Sequence, residues 1–230
     1  MFHQLINKAL GKIRGDGYTI DPKISSSYLI KLIMGRSFML FRGKTSLIPH
    51  KGLFFVGKNV TLKARNLMLV GNGVSIDDHC YIDALSKNGI VLGDKVSMGK
   101  RTVIECSGSL KHLGKGLVVE DNVGLGRDCF YGCAGGISIG RDTIIGNFVS
   151  MHSENHNASD PSTPIRLQGV NHKGISIGKN CWIGAKATIL DGVTLGDGCI
   201  VAAGSVMTAG KYPNNGIYGG IPSKLIKYRF

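Results

Sequence analysis

The sequence lacks the features that mark several classes of protein. It has one tryptophan and six prolines among 230 residues, so an aromatic-rich core is not expected. No run reaches the roughly 18 apolar residues of a transmembrane helix, and the N-terminus has no signal-peptide cleavage pattern. No Cys-x-x-Cys pair or Cys/His cluster has zinc-site spacing. Helix-turn-helix, RNA-binding and zinc-finger patterns are absent, so nucleic acid is not an expected partner. We expect a cytoplasmic protein with reduced cysteines.

Acidic residues are also scarce, with 15 Asp and Glu against 28 Lys and Arg. The excess is concentrated in residues 1–65, where twelve Lys and Arg face only Asp16 and Asp21. This region predicts a short helix from His3 to Ile13 and a second, capped by Ser25 to Ser27, from Tyr28 to about Met34. Two compatible interpretations remain open. In the first, the region caps the end of a repeat array. In the second, it rests on an anionic membrane surface, at the inner face of the membrane.

Glycine is abundant, at 34 residues, and follows a sixfold repeat. From Ile177 onward, aliphatic residues recur every six positions, and small residues follow each of the first five by four places. The aliphatic residues are Ile177, Ile183, Ile189, Leu195, Val201 and Met207. A period of six fits neither a helix nor a simple alternating strand. It predicts a hexapeptide β-helix, and the same ladder can be followed back to Val56.

The ladder is interrupted after every third hexad, which predicts a three-sided helix with all insertions at one edge. We therefore expect an N-terminal cap region (1–50), a β-helix (51–212) and a C-terminal extension (213–230). The largest insertion, residues 152–174, is of a length that is usually functional. Cys80, Cys129, Cys181 and Cys199 occupy small inward positions of the repeat, which predicts buried reduced thiols.

Three groups of residues carry a more specific resemblance. The insertion contains Asn155-His156, Asp160 and Gln168, and the later coils contain Cys181-Trp182-Ile183-Gly184 and Ala203-Gly204-Ser205-Val206. With the closing residues 219–227, this pattern resembles the left-handed β-helix acyltransferases over about residues 56–227, and most closely the polysaccharide and capsule O-acetyltransferases. The resemblance implies an all-β, left-handed parallel β-helix (a triangular solenoid) with a partly helical N-terminal cap and a long protruding loop. It also implies a homotrimer that binds acetyl-CoA between neighbouring subunits, requires no metal, and acts on a glycan or lipid-linked glycan.

By this resemblance, His156 is the general base that takes the proton of the acceptor hydroxyl during direct transfer. An imidazole with a pKa near 6.5 suits that role at neutral pH. Asp160 and Glu154 are candidates for the acidic group that orients it, and His152 and His172 are weaker candidates for a direct role. An ordinary solvated loop histidine is the competing interpretation.

The resemblance also implies two sets of binding residues. The acetyl-CoA set is Gly184, Ala185, Ala203, Gly204, Thr208, Lys211, Lys224 and Lys227. The acceptor set is Asn155, Arg166, Gln168 and Trp182. Two departures matter. Ala209 follows Thr208 where the family often has lysine, which leaves Lys211 as the alternative phosphate contact. Gly126 stands in the region where small-sugar acetyltransferases have asparagine, which favours a more open groove.

Other functions remain open at this point. An amino-sugar N-acetyltransferase is the nearest alternative, because nothing in the sequence excludes an amine acceptor. A γ-type carbonic anhydrase shares the β-helix but places its three zinc-binding histidines at a different spacing. A non-enzymatic scaffold is also compatible, because a fold does not determine a function.

Overall fold

The N-terminal region forms one long helix in the part of the chain that the structure describes. The structure is a computed structural model that describes Asn7 and residues 19–230, so the helix predicted from His3 to Ile13 lies, apart from Asn7, outside the described residues. Helix α1 (Ser26–Thr45) begins where predicted, and the Ser25 hydroxyl caps it by accepting a bond from the Tyr28 N–H at 3.3 Å. The predicted end near Met34 is wrong. No proline follows before Pro49, and Gly35 alone does not stop a helix whose next turns contain Arg, Met, Leu and Phe.

Helix α1 packs against the first strand of the β-helix through its C-terminal half. Gly43 is buried, and a Cβ there would overlap the carbonyl oxygen of Phe54, so only glycine permits this approach. Arg42 donates from Nη1 to the Val56 carbonyl at 3.0 Å. Arg36 donates to the Ser75 hydroxyl at 2.7 Å and lies over the Phe55 ring. The helix therefore covers the edge of the first coil.

The rest of the chain winds as a triangular parallel β-helix with three sheets. The first sheet contains β1 (Phe54–Val56), β4 (Val74–Ile76), β7 (Ser97–Met98), β10 (Gly124–Leu125), β13 (Ile144–Ile145), β18 (Trp182–Ile183), β21 (Ile200–Val201), β24 (Gly216–Gly220) and β25 (Ser223–Tyr228). The second contains β2 (Thr61–Lys63), β5 (Tyr81–Asp83), β8 (Val103–Glu105), β11 (Phe130–Gly132), β14 (Ser150–His152), β19 (Thr188–Leu190) and β22 (Val206–Met207). The third contains β3 (Met68–Val70), β6 (Ile90–Leu92), β9 (Leu117–Val119), β12 (Ile137–Ile139), β17 (Ile175–Ile177), β20 (Val193–Leu195) and β23 (Gly210–Tyr212).

The core forms because each inward aliphatic residue stacks on the equivalent residue of the next coil. Val56 pairs with Ile76 and Ile76 with Met98 along the first sheet. Every inward position of the predicted ladder from Val56 to Met207 is buried except Leu62, which is half-buried. The buried positions include Tyr131, where the ladder has an aromatic residue. The sixfold interpretation is thereby confirmed. Six residues suffice for a short strand and a corner, and the corner is turned by a residue with positive φ, such as Asn59, His79 or Arg101.

Two edges of the prism differ in the length of the chain segments that form their corners. The smooth edge, between the first and second sheets, consists of four-residue corners at 57–60, 77–80, 99–102, 126–129, 146–149, 184–187 and 202–205. The decorated edge, between the second and third sheets, consists of 64–67, 84–89, 106–116, 133–136, 153–174, 191–192 and 208–209. The prediction that all long insertions leave from one edge is confirmed.

All six cysteines are free and buried, and the four in the repeat face inward as predicted. Burial raises the pKa of Cys80 and of Cys181 to about 11. These thiols therefore stay protonated at neutral pH and act as small apolar residues of the core.

The coils continue past residue 212. Strand β24 pairs in parallel with β21, and β25 then turns back antiparallel to β24. Residues 213–230 thus add a parallel strand and close the end of the first sheet. Among the described residues, no helix is long and apolar enough to cross a membrane.

Candidate active site

The 152–174 insertion is an ordered hairpin on the decorated edge. Strands β15 (Asn155–His156) and β16 (Val170–Asn171) pair antiparallel, with His156 opposite Val170. The Asn157 amide donates to the Gln168 carbonyl at 3.1 Å and accepts from the Asn171 amide at 2.6 Å. These bonds hold the exposed His156 side chain on a short two-stranded arm outside the coil.

Two buried side chains fix the base of the hairpin. The Ser153 hydroxyl donates to the Gly132 carbonyl at 2.7 Å and accepts from the Gly135 N–H at 2.9 Å. Asp191, only 3% exposed, accepts from the N–H groups of Lys173 at 2.9 Å and Gly174 at 2.7 Å. It also accepts from the Asn155 amide at 3.3 Å. One carboxylate of the following coil therefore holds both the outgoing and the returning strand of the loop.

Asp191 is a positioning residue that the sequence analysis missed. The available signal was an Asp-Gly pair at a two-residue corner of the edge that carries all the insertions. Aspartate there would have suggested a turn. Its partners are 17 to 36 residues away in the chain, so sequence spacing could not reveal them.

The predicted acidic partners of His156 make other contacts. The Asp160 carboxylate accepts from the Ser162 N–H at 2.8 Å and the Ser162 hydroxyl at 2.6 Å, and hydrogen bonds from Ser162 and Thr163 lower its pKa to about 2. The Glu154 carboxylate lies near Gly108 of the neighbouring loop. Within the described chain, neither carboxylate hydrogen-bonds to His156, so Asp160 shapes the loop tip.

The remaining acceptor-side and histidine candidates are spread over several surfaces. The Gln168 amide joins the loop tip by donating to the carbonyls of Asp160 and Thr163. Arg166 is exposed on a short 3-10 turn, Ile165–Leu167. The His152 ring lies 5.4 Å from the Phe130 ring on the second sheet. The His172 Cβ is packed near the backbone of Gly135. Trp182, 55% exposed, is on the first sheet beside Ile144 and is not part of the hairpin.

The residues predicted to bind acetyl-CoA fall into two groups. Ala185, Ala203 and Gly204 are exposed on the smooth edge, where Gly204 N–H donates to the Ala185 carbonyl at 2.9 Å. Gly184 lies beneath them, and a Cβ there would come within 2.5 Å of the Ala203 nitrogen. Lys224 and Lys227 are on the first sheet, which borders this edge. Thr208 and Lys211 instead belong to the decorated edge and the third sheet.

The smooth edge offers free hydrogen-bond donors where side chains are smallest. In the described chain, the backbone N–H groups of Ala185 and Ala203 have no hydrogen-bond partner. Unpaired backbone donors beside small side chains suit an extended ligand that contains carbonyl groups. His156 is on a different edge of the same prism, so one chain does not bring the imidazole and these donors together.

A shallow cavity of about 350 Å³ lies at the foot of the hairpin on the third sheet. Lys115 and Lys173 flank it, and Gly135, Gly136 and Ser138 form part of its floor. The register of β9, β12 and β17 aligns Lys115, Gly135 and Lys173 on successive coils. Neither lysine forms an ion pair within the described residues, so the cavity is cationic.

The described residues do not gather into a metal site. No group of three His, Cys, Asp or Glu side chains in the described part of the chain could hold a metal ion. His152, His156 and His172 in particular lie on the second sheet, on the arm and against Gly135. These three described histidines therefore do not converge on one point within a single subunit.

Comparison with known proteins finds the hexapeptide repeat and similar folds. The family model described as the hexapeptide repeat of succinyl-transferase matches residues 174–209. In fold, the chain is similar to the Bacillus cereus N-acyltransferase AntD, solved with dTDP-4-amino-4,6-dideoxyglucose and coenzyme A, with a TM-score of 0.52, 20% identity and 90% coverage of both chains. The chain is thus a left-handed parallel β-helix built from hexapeptide repeats, as the resemblance implied.

Two relatives are similar in sequence. The chain is 31% identical over 126 residues to WbbJ of Escherichia coli, named for O-acetyl transfer in lipopolysaccharide biosynthesis. It is 30% identical over 172 residues to a Mycobacterium tuberculosis protein named as an acetyltransferase. It spans 64% of the first and 53% of the second, about half to two thirds of their lengths. Both relatives are named for acetyl transfer, which agrees with the resemblance to the hexapeptide-repeat acyltransferases.

Proposed function

We propose that this protein is an acetyl-CoA-dependent O-acetyltransferase that modifies a sugar hydroxyl of a bacterial surface polysaccharide or its lipid-linked precursor. The observation that carries the proposal is the division of the site between two edges. The smooth edge presents small residues and free backbone N–H groups, and the decorated edge presents His156 on an anchored arm. The name of WbbJ supports a hydroxyl of a surface glycan as the acceptor.

We propose a homotrimer because it would join the two half-sites. If the decorated edge of one subunit faces the smooth edge of the next, His156 lies opposite Ala185 and Ala203 of that neighbour. The same contact brings Thr208 and Lys211 of one subunit toward Lys224 and Lys227 of the other. Such a head-to-tail contact closes into a ring under threefold symmetry and creates three equal sites.

In the proposed reaction, the His156 imidazole removes the proton from the acceptor hydroxyl as its oxygen attacks the thioester carbonyl. The tetrahedral oxyanion is stabilised by backbone N–H donors of the smooth edge. The C–S bond then breaks, and the imidazolium returns the proton to the departing thiolate of CoA. The sugar leaves as its acetyl ester, and no acyl-enzyme forms. The proposal requires no metal, and we place the reaction in the cytoplasm.

The cationic cavity at the foot of the arm supports an acceptor that carries a negative charge near the modified sugar. Lys115 and Lys173 are aligned two coils apart, about 10 Å at a strand spacing of 4.8 Å. Gly135 forms part of the floor between them, and we expect a carboxylate or phosphate of the acceptor to bind there. An amino-sugar acceptor remains the alternative, since the attacking group would meet the same imidazole.

The test is thioester cleavage measured with purified protein and acetyl-CoA across matched glycan acceptors that present hydroxyl or amine groups. We expect cleavage to be stimulated by a hydroxyl-bearing glycan and abolished in His156→Ala, with acetyl-CoA affinity unchanged. His112→Ala, which alters an exposed histidine outside the hairpin, is the matched control and should stay active. Full activity in His156→Ala would refute the assigned base. Stimulation only by amines would establish the N-acetyl alternative, and cleavage stimulated by no acceptor would refute the proposed function.

A further inference from the structure

We infer that the outward face of helix α1 is a membrane-contact surface that rests on an anionic lipid bilayer. This surface consists of Ile30, Met34, Phe38 and Phe41. The inference depends on the N-terminal helix alone and is independent of the proposed chemistry.

The outward face is a continuous apolar stripe. Its residues are spaced by four, four and three positions, which places them along one side of an α-helix. They are 46%, 53%, 59% and 65% exposed in chain order. The opposite side contains the buried Leu29 and Gly43, and Gly43 lies against β1. The β-helix therefore uses one side of α1 and leaves the more aromatic side in solvent.

Apolar exposure extends around the N-terminal half of the helix. Tyr28, Leu32 and Ile33 are each about half exposed or more. A monomeric soluble protein rarely leaves so many large apolar side chains together at its surface, and such patches mark interaction sites. Large apolar residues on an exposed helix with basic neighbours are typical of helices that lie in a membrane interface.

The basic residues around the stripe favour an anionic membrane as the partner. Lys31 and Arg42 border the stripe on one side and Lys44 on the other, by their helical positions. Residues 22–76 contain nine Lys and Arg and no Asp or Glu. A second copy of this helix would bring like charges together, which disfavours self-association here. An anionic bilayer suits both features of this surface. Its headgroups pair with the basic side chains while the apolar side chains are buried just below them.

The attachment of α1 fixes how the enzyme would sit on the membrane. Arg36 and Arg42 are held by Ser75 and Val56 of the first coils. The bilayer would therefore contact the N-terminal end of the solenoid. The hairpin with His156 leaves the stack four coils further along, about 19 Å at a strand spacing of 4.8 Å.

The experiment is flotation of the full chain with vesicles of phosphatidylcholine, with or without phosphatidylglycerol. We expect binding only to the anionic vesicles, and weaker binding at high salt. Phe38→Ser combined with Phe41→Ser should abolish binding. Lys31→Gln combined with Lys44→Gln should reduce it severalfold. Leu110→Ser with Leu113→Ser, which alters two exposed apolar residues of another loop, is the matched control and should bind as the wild type.

Circular dichroism and light scattering on the same samples separate the alternatives. The inference requires the Phe38/Phe41 variant to keep its fold and its oligomeric state. A wild-type protein that ignores anionic vesicles, or a variant that floats like the wild type, would overturn the inference. Loss of the oligomer in that variant would also overturn it, because the stripe would then be a subunit contact.

Discussion

Replacing Asp191 by alanine should release the arm that holds His156. The substitution removes the acceptor for two backbone N–H groups, on Lys173 and Gly174, and for the Asn155 amide. Hydrogen bonds to a charged group contribute about 1.5–3 kcal/mol each. The two shorter bonds therefore predict a loss of about 3–6 kcal/mol in the local stability of the loop base.

The consequence is measurable in two ways. Hydrogen exchange of the amides in residues 153–174 should accelerate by about 10²–10³-fold, since every 1.4 kcal/mol corresponds to a factor of ten and part of the loss is recovered by water. Acetyl transfer should fall while acetyl-CoA affinity is retained, because the smooth edge does not depend on Asp191.

Asp197→Ala is the matched control. Asp197 is also a corner aspartate that accepts a backbone bond, from Lys179 N–H at 2.9 Å, but it lies outside the hairpin. It should leave exchange in residues 153–174 and acetyl transfer unchanged. If Asp191→Ala shows wild-type exchange in the loop and wild-type activity, the anchoring argument is refuted.

Three further predictions follow from the structure. Gly184→Val should destabilise the protein by several kcal/mol in chemical denaturation and weaken acetyl-CoA binding, because its Cβ would come within about 2.7 Å of Ala203 N and Val201 O; wild-type stability would refute the close approach. Burial raises the pKa values of Cys80 and Cys181 to about 11. Both thiols should therefore resist thiol reagents at pH 8 in the folded protein and react once it unfolds. Rapid labelling of the native protein would contradict their burial. The pKa of Asp160 is lowered to about 2, so its carboxylate stabilises the loop tip fully above the unfolded pKa of about 3.9. This contribution is lost as the pH falls through about 2. The NMR shift of the Ser162 amide should follow this titration, and a midpoint near pH 4 would contradict the assigned contacts.

The regular part of this fold follows from the sequence because each inward residue of the repeat has the same neighbours above and below it. A period of six therefore predicts one strand and one corner per repeat. The interruption after every third hexad predicts that the β-helix has three sides. Ile177 to Met207 shows this most clearly, since all six of its aliphatic positions are buried.

The sequence was less informative where contacts are not periodic. Helix α1 runs to Thr45 because no residue strong enough to end it intervenes. The role of Asp191 depends on partners brought close only by the coiling of the chain. Likewise, Thr208 and Ala203 are five residues apart in sequence but lie on different edges of the prism, which a linear motif does not show.

The division of the site between two edges is tested most directly by mixing two inactive variants. His156→Ala removes the proposed base, and Ala203→Trp blocks the exposed smooth edge without altering the arm. In randomly mixed trimers, a site formed by neighbouring chains is intact in about a quarter of cases, because each half is supplied by one chain in two. We predict that co-expressed variants recover about a quarter of the wild-type acetyl transfer, although each alone is inactive. Mixed trimers that form but recover no activity would contradict a site shared between subunits.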